Sequence, residues 1–356
     1  MTTVLHVLQS GDRGGVQRHV RDLALGLREE TAGVVAGTGG WLAQSVRDAG
    51  IPIRQAQQLR RSMDPRRIAS ARREVERAYR DLLPQVVHAH GIFALLAAMP
   101  LHESVPLVYT AHGFQWHDAT HPAWIRSLSW VMHRQAVTKV SAFVAIAGEA
   151  DEARALGFSR VEEIPNGVTL PLEGTPIGGP NTFGVATRLV AGKGLEDLAK
   201  VLQVLGAATL VVAGEGPQGA ALMQAAARLG VGSRVRLLGW QDDLVPFYRS
   251  ISAYVSLSRK EGLPYAALDA LAAGLPVVLS DIPGHRELVP EGRNGFLTRL
   301  GDASAAATAL GRLFADEDLR QSAGAASREV AKEHFALSDM LRRHQALYTE
   351  LGGGSR

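Results

Sequence analysis

Short apolar runs recur along the chain, each followed by glycine or a polar loop and then by a stretch whose apolar positions repeat every three to four residues. Val4–Leu8 is such a run. After Gly14-Gly15 comes Val16–Arg28, where apolar residues at 16, 20, 23, 24 and 27 give a helix one buried face. Further strand candidates are Gly33–Ala36, Gln85–His88, Leu107–Thr110 and Ala142–Ala147, with helices between them. The segment Pro165–Pro180 is rich in proline and glycine and reads as a linker. A second series follows, with strands Thr182–Val190, Ala208–Ala213, Arg234–Gly239, Ala253–Ser258 and Pro276–Ser280. Strand–loop–helix repetition of this kind predicts an α/β fold with two Rossmann-like, doubly wound domains facing across a cleft. The expected boundaries are 1–166 for an N-terminal domain, 167–181 for the linker and 182–335 for a C-terminal domain. The remainder, 336–356, is a helix over Ala336–Leu351 and a frayed tail from Gly352, packing back toward the N-terminal domain.

Composition narrows the class. The 356 residues exceed one ordinary core, and 46% apolar with 21% charged residues is a normal globular balance. With no cysteine there is no disulfide, thiolate nucleophile or thiolate zinc site, which fits a reducing compartment. The chain opens on a strand with no signal peptide, and its longest apolar stretch, Ile92–Leu101, is too short to span a bilayer. A cytoplasmic protein is expected. The net charge is only +3, yet Arg54–Arg80 holds nine arginines against Asp64, Glu74 and Glu76. That stretch, with Arg60, Arg61, Arg66 and Arg67 at its centre, reads either as a solvated helix or as a surface for anionic lipid or a phosphate-bearing acceptor. The segment His121–Lys139, with Trp124 and Trp130 among basic residues, suits either a membrane-surface helix or a core-facing helix with a basic outer face. Nucleic acid is disfavoured because no recognisable module accompanies the charge.

The richest local chemistry is Arg259–Asp269. A strand leads into a loop bearing Glu261, and Pro264 opens an apolar helix whose only charge is Asp269. Helix amides there can hold an anion while carboxylates accept hydrogen bonds from hydroxyls, which suits a sugar joined to a phosphate. Arg188 and Lys193 bracket a loop before another helix and suit a diphosphate, although GxxxxGK[ST] is absent. Gly214, Glu215 and Gly216 end one strand and would form a pocket wall; Gly239-Trp240 ends the next, where Trp240 is either a wall for a base or ordinary packing. Gly14-Gly15 allows close approach of a phosphate or is a simple tight turn; it is not GxGxxG. His112 closes a strand and can donate to a sugar hydroxyl or phosphate, with His88 and His90 repeating the pattern on the preceding strand. No clustered Asp or Glu accompanies these histidines, so no metal site is expected.

In family order and spacing, Arg188, Lys193, Gly214-Glu-Gly216, Glu261-Gly-Leu-Pro264, Gly274-Leu-Pro-Val-Val278, Gly14-Gly15, His88-Ala-His90-Gly91 and His112-Gly113 resemble the retaining family 4 glycosyltransferases of GT-B fold. The resemblance covers nearly the whole chain. It implies transfer of a sugar from a nucleoside-diphosphate sugar, UDP favoured over GDP, to a hydroxyl acceptor. The basic stretch and the tryptophan-bearing helix make a lipid-linked or polysaccharide precursor at the inner membrane face the leading acceptor, with a small soluble acceptor as the alternative. No cofactor and no metal are implied. By the same resemblance Arg188 and Lys193 bind the diphosphate, and Glu261 contacts sugar hydroxyls. Backbone around Gly262, Leu263, Pro264 and Tyr265 holds sugar or phosphate. Gly14 and Gly15 line the phosphate and acceptor side with His90, and His112 faces the donor sugar. Asp269 stands where the family has a glutamate for the ribose, with a reach about 1.5 Å shorter. Other enzymes on this architecture (an epimerase, a phosphorylase-like enzyme) and a non-catalytic sugar-nucleotide binder remain alternatives; a Rossmann dehydrogenase is disfavoured.

Overall fold

The computed structural model describes residues 2–114, 116, 122–170 and 179–354. These divide into two compact units, residues 1–166 with 338–356, and residues 167–337. The expected linker falls mainly on 171–178, outside the described residues; the residues flanking that stretch group with the second unit.

In the first unit the elements run β1 (Val4–Leu8), α1 (Gly15–Gly26), β2 (Thr31–Ala36), α2 (Trp41–Asp48), β3 (Ile53–Gln55), α3 (Pro65–Leu82), β4 (Val86–His90), α4 (Ile92–Ala98), β5 (Leu107–Thr110), α5 (Ala123–Ala136), β6 (Ala142–Ala145), α6 (Ala150–Leu156) and β7 (Val161–Glu163). The strands form one sheet in the order β3-β2-β1-β4-β5-β6-β7, and every pairing is parallel. Alternate strand residues face opposite ways. Leu5, Val7, Val87, Ala89, Leu107 and Tyr109 join one core with Val75 of α3, Leu95 of α4 and Ala136 of α5. Leu8, Val34 and Ala36 join another with Val20 and Ala24 of α1 and Val46 of α2. Helices therefore cover both faces, which is why the strands read as near-continuous apolar runs.

The second unit continues with β8 (Thr182–Ala186), α7 (Leu195–Val204), β9 (Thr209–Ala213), α8 (Gln218–Arg228), β10 (Val235–Gly239), α9 (Val245–Arg249), β11 (Ala253–Ser256), α10 (Tyr265–Ala272), β12 (Val277–Ser280), α11 (Pro283–Arg286), β13 (Gly295–Thr298), α12 (Ala303–Ala315) and α13 (Glu317–His334). Its parallel sheet has the order β10-β9-β8-β11-β12-β13. A last helix, α14 (Leu337–Gly353), belongs from Ser338 onward to the first unit. Arg160 donates from Nη1 and Nη2 to the two carboxylate oxygens of Glu350, at 2.7 and 2.8 Å, and Gln345 donates to Glu30.

Several boundaries differ from expectation for physical reasons. β8 ends at Ala186 rather than Val190, and β11 at Ser256 rather than Ser258; both chains leave the sheet to build the loops described below. β4 extends two residues past His88, so His88 and His90 both lie within the strand. The helix expected to begin at Asp242-Asp243 starts at Val245, whose amide donates to Asp243 Oδ1 at 2.9 Å. The tail expected from Gly352 is helical through Gly353, because Gly352 is buried where a Cβ would stand 2.3 Å from Thr2 Cγ2.

At Gly284, in α11, a Cβ would lie 1.5 Å from the Gly262 carbonyl oxygen and 2.7 Å from that of Glu261. Neither neighbour is a side chain that can swing away. Gly284→Ala should destabilise the second unit by about 3 kcal/mol or more, the upper range for overpacking, read as a lowered denaturation midpoint. An unchanged midpoint would show that the two loops can separate at no cost.

Candidate functional site

In an open parallel sheet, ligands settle beyond the strand C-termini where the strand order reverses. The second unit reverses between β8 and β11, which are hydrogen-bonded neighbours although far apart in sequence. The loop after β8 carries Arg188 and Lys193, and the loop after β11 carries Glu261. Lys193 Nζ donates to Glu261 Oε1 at 2.5 Å, and both side chains are largely buried. The loops are in backbone contact. Gly194, the N-cap of α7, has φ +67°, and a Cβ there would stand 2.2 Å from the Leu257 carbonyl oxygen. Only glycine meets both conditions. The Arg259 amide donates to the Gly192 carbonyl at 2.8 Å and fixes the two loops in register. Arg188 is exposed, and its guanidinium has no ion-pair partner among the described residues.

The neighbouring strand ends complete the rim. Gly214 N donates to Gly239 O, and Glu215 Oε1 accepts from Trp240 N at 3.2 Å. The Glu215 side chain thus ties the ends of β9 and β10 together. Trp240 is 40% exposed and donates through its indole to Asp242. Leu263 and Tyr265 are buried, whereas a Cβ at Gly262 would meet open space. Burial first, then the charges of Glu261 and Asp269, push the phenol of Tyr254 upward. Beneath Glu261, Ser280 Oγ donates to Ser258 O, and buried His285 reaches Ser280 O through Nδ1 at 3.0 Å.

The first unit reverses between β1 and β4. Gly14, beyond β1, has φ 174°, extended backbone that any residue adopts, so its role there is not conformational. With Gly14 as N-cap, α1 has no side-chain cap. His112 follows β5 in a left-handed conformation, φ +57°, uncommon for a residue with a Cβ. Glu149 holds it there: Oε1 accepts from Gly113 N at 2.5 Å and Oε2 from Ile146 N at 2.9 Å.

Against this sheet face lies a layer of imidazoles. His6 and His88 are register partners on β1 and β4, and His90 pairs with Thr110 of β5. To these α1 adds His19 and α14 adds His344. His88 is bonded at both nitrogens, Nδ1 to Tyr348 Oη at 2.7 Å and Nε2 to Thr110 Oγ1 at 2.9 Å. His6 Nδ1 lies 3.3 Å from His90 Nε2, and His90 Nδ1 lies 3.1 Å from His112 Nε2. His19 Nδ1 is 3.0 Å from Asn166 Oδ1, and His344 Nδ1 is 2.8 Å from Met340 O. Burial is the first cause lowering every one of these pKa values, to about 3 for His6 and His112 and about 4 for His344; neighbouring imidazolium charges add to it for all but His344, where the Arg343 charge does. His88 is therefore a core residue rather than a cleft residue, as its second hydrogen-bonded nitrogen requires. Sequence reasoning missed His6, His19, His344, Glu149 and Asn166. The one available signal for His6 was its place, with His88 and His90, on alternate strand positions facing the same side.

The Glycosyltransferase Family 4 model matches residues 13–171, and the Glycosyl transferases group 1 model matches residues 180–316. The chain belongs to these glycosyltransferase families. Among relatives, the lipopolysaccharide core biosynthesis glycosyltransferase LpsE of Rhizobium meliloti is 34% identical over 146 residues, 41% of this chain and 43% of that protein's length. EpsD of Bacillus subtilis is 26% identical over 316 residues, covering 79% of each chain. Among solved structures, HepE of Anabaena, determined in complex with UDP-glucose, superposes with TM-score 0.83 over 99% of this chain and 100% of its own, at 20% identity. At that identity the likeness establishes the GT-B fold.

The two surface features also have definite places. Asp64 caps α3, accepting from Arg66 N at 2.9 Å, and Arg66 and Arg67 occupy its first turn, where the helix dipole disfavours cations. Arg67 pairs with Asp64 at 3.5 Å; Arg60, Arg61 and Arg66 are exposed and make no ion pair among the described residues. On α5, Trp124 is 66% and Trp130 47% exposed, whereas Met132, His133 and Ala136 face the core. The two tryptophans are outside that core. His121, expected to begin this segment, lies outside the described residues. No described helix is long and apolar enough to cross a membrane.

The buried neutral histidines make a pH prediction. His133, bonded to Ser129 O and Tyr109 Oη, has its pKa lowered to about 4, chiefly by burial, as His344 has. An unfolded histidine titrates at about 6.5, so between pH 6.5 and 4 the unfolded chain holds more protons, and stability is lost as pH falls. Each such histidine should add roughly 1.4 kcal/mol per pH unit across that window. Thermal midpoints in matched buffers should drop steadily from pH 6.5 to 4; a flat profile would show that the histidines are charged when folded.

Proposed function

We propose that this protein transfers a sugar, with retention of anomeric configuration, from a nucleoside-diphosphate sugar to a hydroxyl acceptor. The observation that carries the reading is the Lys193–Glu261 pair, 2.5 Å apart and straddling the reversal point of the second sheet, with the unpaired Arg188 on the same loop. A donor entering there substitutes for both partners at once. Its diphosphate takes Lys193 and Arg188, and its sugar hydroxyls donate to Glu261. Asp269 is the group for the ribose diol, by resemblance to the family's glutamate.

As the anomeric carbon–oxygen bond breaks, its electron pair passes to the diphosphate oxygen. The acceptor oxygen bonds to the anomeric carbon on the same face, and the acceptor proton goes to a leaving-group phosphate oxygen. Positive charge fixed where the negative charge develops lowers the barrier, and Arg188 and Lys193 supply it without calling on a divalent cation at the diphosphate. Glu261 sits on a loop and Asp269 on a helix assigned to the ribose, so they are not read as the nucleophile–acid pair of a retaining glycosidase. Retention is supported by resemblance of the motifs, and UDP by the HepE complex with UDP-glucose. The acceptor we favour is a lipid-linked or polysaccharide precursor, in line with the naming of LpsE for lipopolysaccharide core biosynthesis. The unpaired arginines before and at the start of α3 and the exposed tryptophans of α5 suit work at an anionic membrane surface.

Among UDP, GDP, ADP and CDP, UDP should raise the thermal midpoint most. Saturation at 100 times Kd corresponds to about 2.7 kcal/mol, and Arg188→Ala should abolish the shift. Glu261→Ala and Glu261→Gln should fold yet lose transfer, and product NMR should show the donor's anomeric configuration. Stabilisation by no diphosphate, or near-normal turnover of both Glu261 variants, would overturn the reading. Separately, replacing Arg60, Arg61, Arg66 and Arg67 with serine should weaken sedimentation with phosphatidylglycerol-containing vesicles while donor hydrolysis stays unchanged. Unchanged sedimentation would return these arginines to a solvated surface.

A further inference from the structure

The imidazole layer contains more than packing requires. Two sets of three ring nitrogens gather within 4.8 Å of one another, one from His6, His88 and His90, the other from His19, His90 and His112. The first set is closed, because both nitrogens of His88 are committed to Tyr348 and Thr110. The second is not. His19 is fully buried, its Nδ1 is turned to Asn166 Oδ1, and its Nε2 has no hydrogen-bond partner among the described residues. An acceptor nitrogen held out of water with nothing to accept from is costly unless something occupies it.

From this geometry we propose that His19 Nε2, His90 Nδ1 and His112 Nε2 form a binding site for a divalent transition-metal ion of zinc-like chemistry, with one coordination position left open. Zinc–nitrogen bonds of about 2.0–2.1 Å in a tetrahedron put ligand nitrogens about 3.3 Å apart. His90 Nδ1 and His112 Nε2 stand at 3.1 Å already. The outer contacts also suit ligands, which need their far nitrogen protonated and held. His19 Nδ1–H donates to Asn166 Oδ1, and His90 Nε2–H donates to His6 Nδ1. Without metal, one proton must lie between His90 and His112, since two lone pairs cannot face each other at that distance; the incoming ion displaces it. His112 is the one ligand with partial solvent exposure, so the open position for a water or an anionic oxygen lies on its side. The site sits beyond β1 and β4, at the first sheet's reversal point. The absence of clustered carboxylates, which argued against a metal from sequence, does not bear on it, because three imidazoles suffice.

The site lies in the first unit and uses His90 and His112, which the family resemblance turns toward the acceptor and the donor sugar; because its test reads metal binding rather than transfer, its failure is distinguishable from failure of the glycosyl-transfer reading. The test uses the full chain after chelator treatment, titrated with Co2+ and followed by visible absorption, with competition by Zn2+. We expect one ion per chain with the intense bands of tetrahedral nitrogen coordination. His112→Ala, on the partly exposed loop, should abolish them. Asn166→Ala, which removes the outer contact of His19 and leaves all three ligands in place, should weaken affinity 10–100-fold. His334→Ala, a surface histidine on α13, should change nothing and so controls for adventitious binding. Absence of saturable Co2+ binding in the wild type, or binding that survives His112→Ala, would overturn the site and leave a hydrogen-bonded imidazole chain. Because Asn166→Ala retains all three ligands, its affinity decides the matter even if His112→Ala is poorly folded.

Discussion

Removing histidine from water forces it to be neutral, and a neutral imidazole has one proton to share between two nitrogens. That constraint governs the first unit. His6, His19, His88, His90 and His344 occupy positions between sheet and helices where a doubly wound fold ordinarily places aliphatic side chains, so their hydrogen bonds must be allotted ring by ring. His88 draws on Tyr348 and Thr110, His344 on its own helix carbonyl, and His19 on Asn166. The chain His6–His90–His112 is left with a single proton direction to choose. Either every ring in it donates toward His112 or every ring donates toward His6, and whatever binds at His112 selects between the two.

The same logic explains why the last helix returns to the first unit. His344 and Tyr348 are one turn apart on α14, so they point to the same side, and Tyr348 Oη supplies the partner of His88 Nδ1. The exposed Arg160–Glu350 pair adds a geometric tie at the helix end but, being open to solvent, little stability. The C-terminus is thus part of the polar core of a unit whose remaining sequence ended at Asn166.

The two sheets place chemistry by a common rule and supply it differently. Each reverses its strand order once, and at each reversal two loops from distant parts of the sequence meet. In the second unit they bring opposite charges together, Lys193 and Glu261, in a register fixed by Gly194 and by the Arg259–Gly192 backbone bond. In the first unit the meeting groups are uncharged imidazoles, and the carboxylate nearby, Glu149, is spent on two backbone amides that hold His112 in its unfavourable conformation. One meeting point is ionic and the other is a chain of neutral, hydrogen-bonded rings.

What was legible in the sequence follows from these mechanisms. Buried parallel strands announce themselves as apolar runs, so both series of central strands and the doubly wound class could be read. The short edge strands Ile53–Gln55, Val161–Glu163 and Gly295–Thr298 could not, being only three or four residues long and partly exposed. Arg188, Lys193 and Glu261 could be singled out because each lies in a loop between an apolar strand and a helix start, in motifs that resemble the family's. The ligating potential of His19 and the part played by Asn166 were not, since each residue taken singly is an unremarkable polar group, one in a helix and one at the edge of a proline-rich stretch. They acquire meaning only when the fold brings positions 19, 90, 112 and 166 together, and no periodicity within any one element encodes that meeting. Local pattern reports which residues are withdrawn from water; which polar groups then satisfy one another is a property of the tertiary structure.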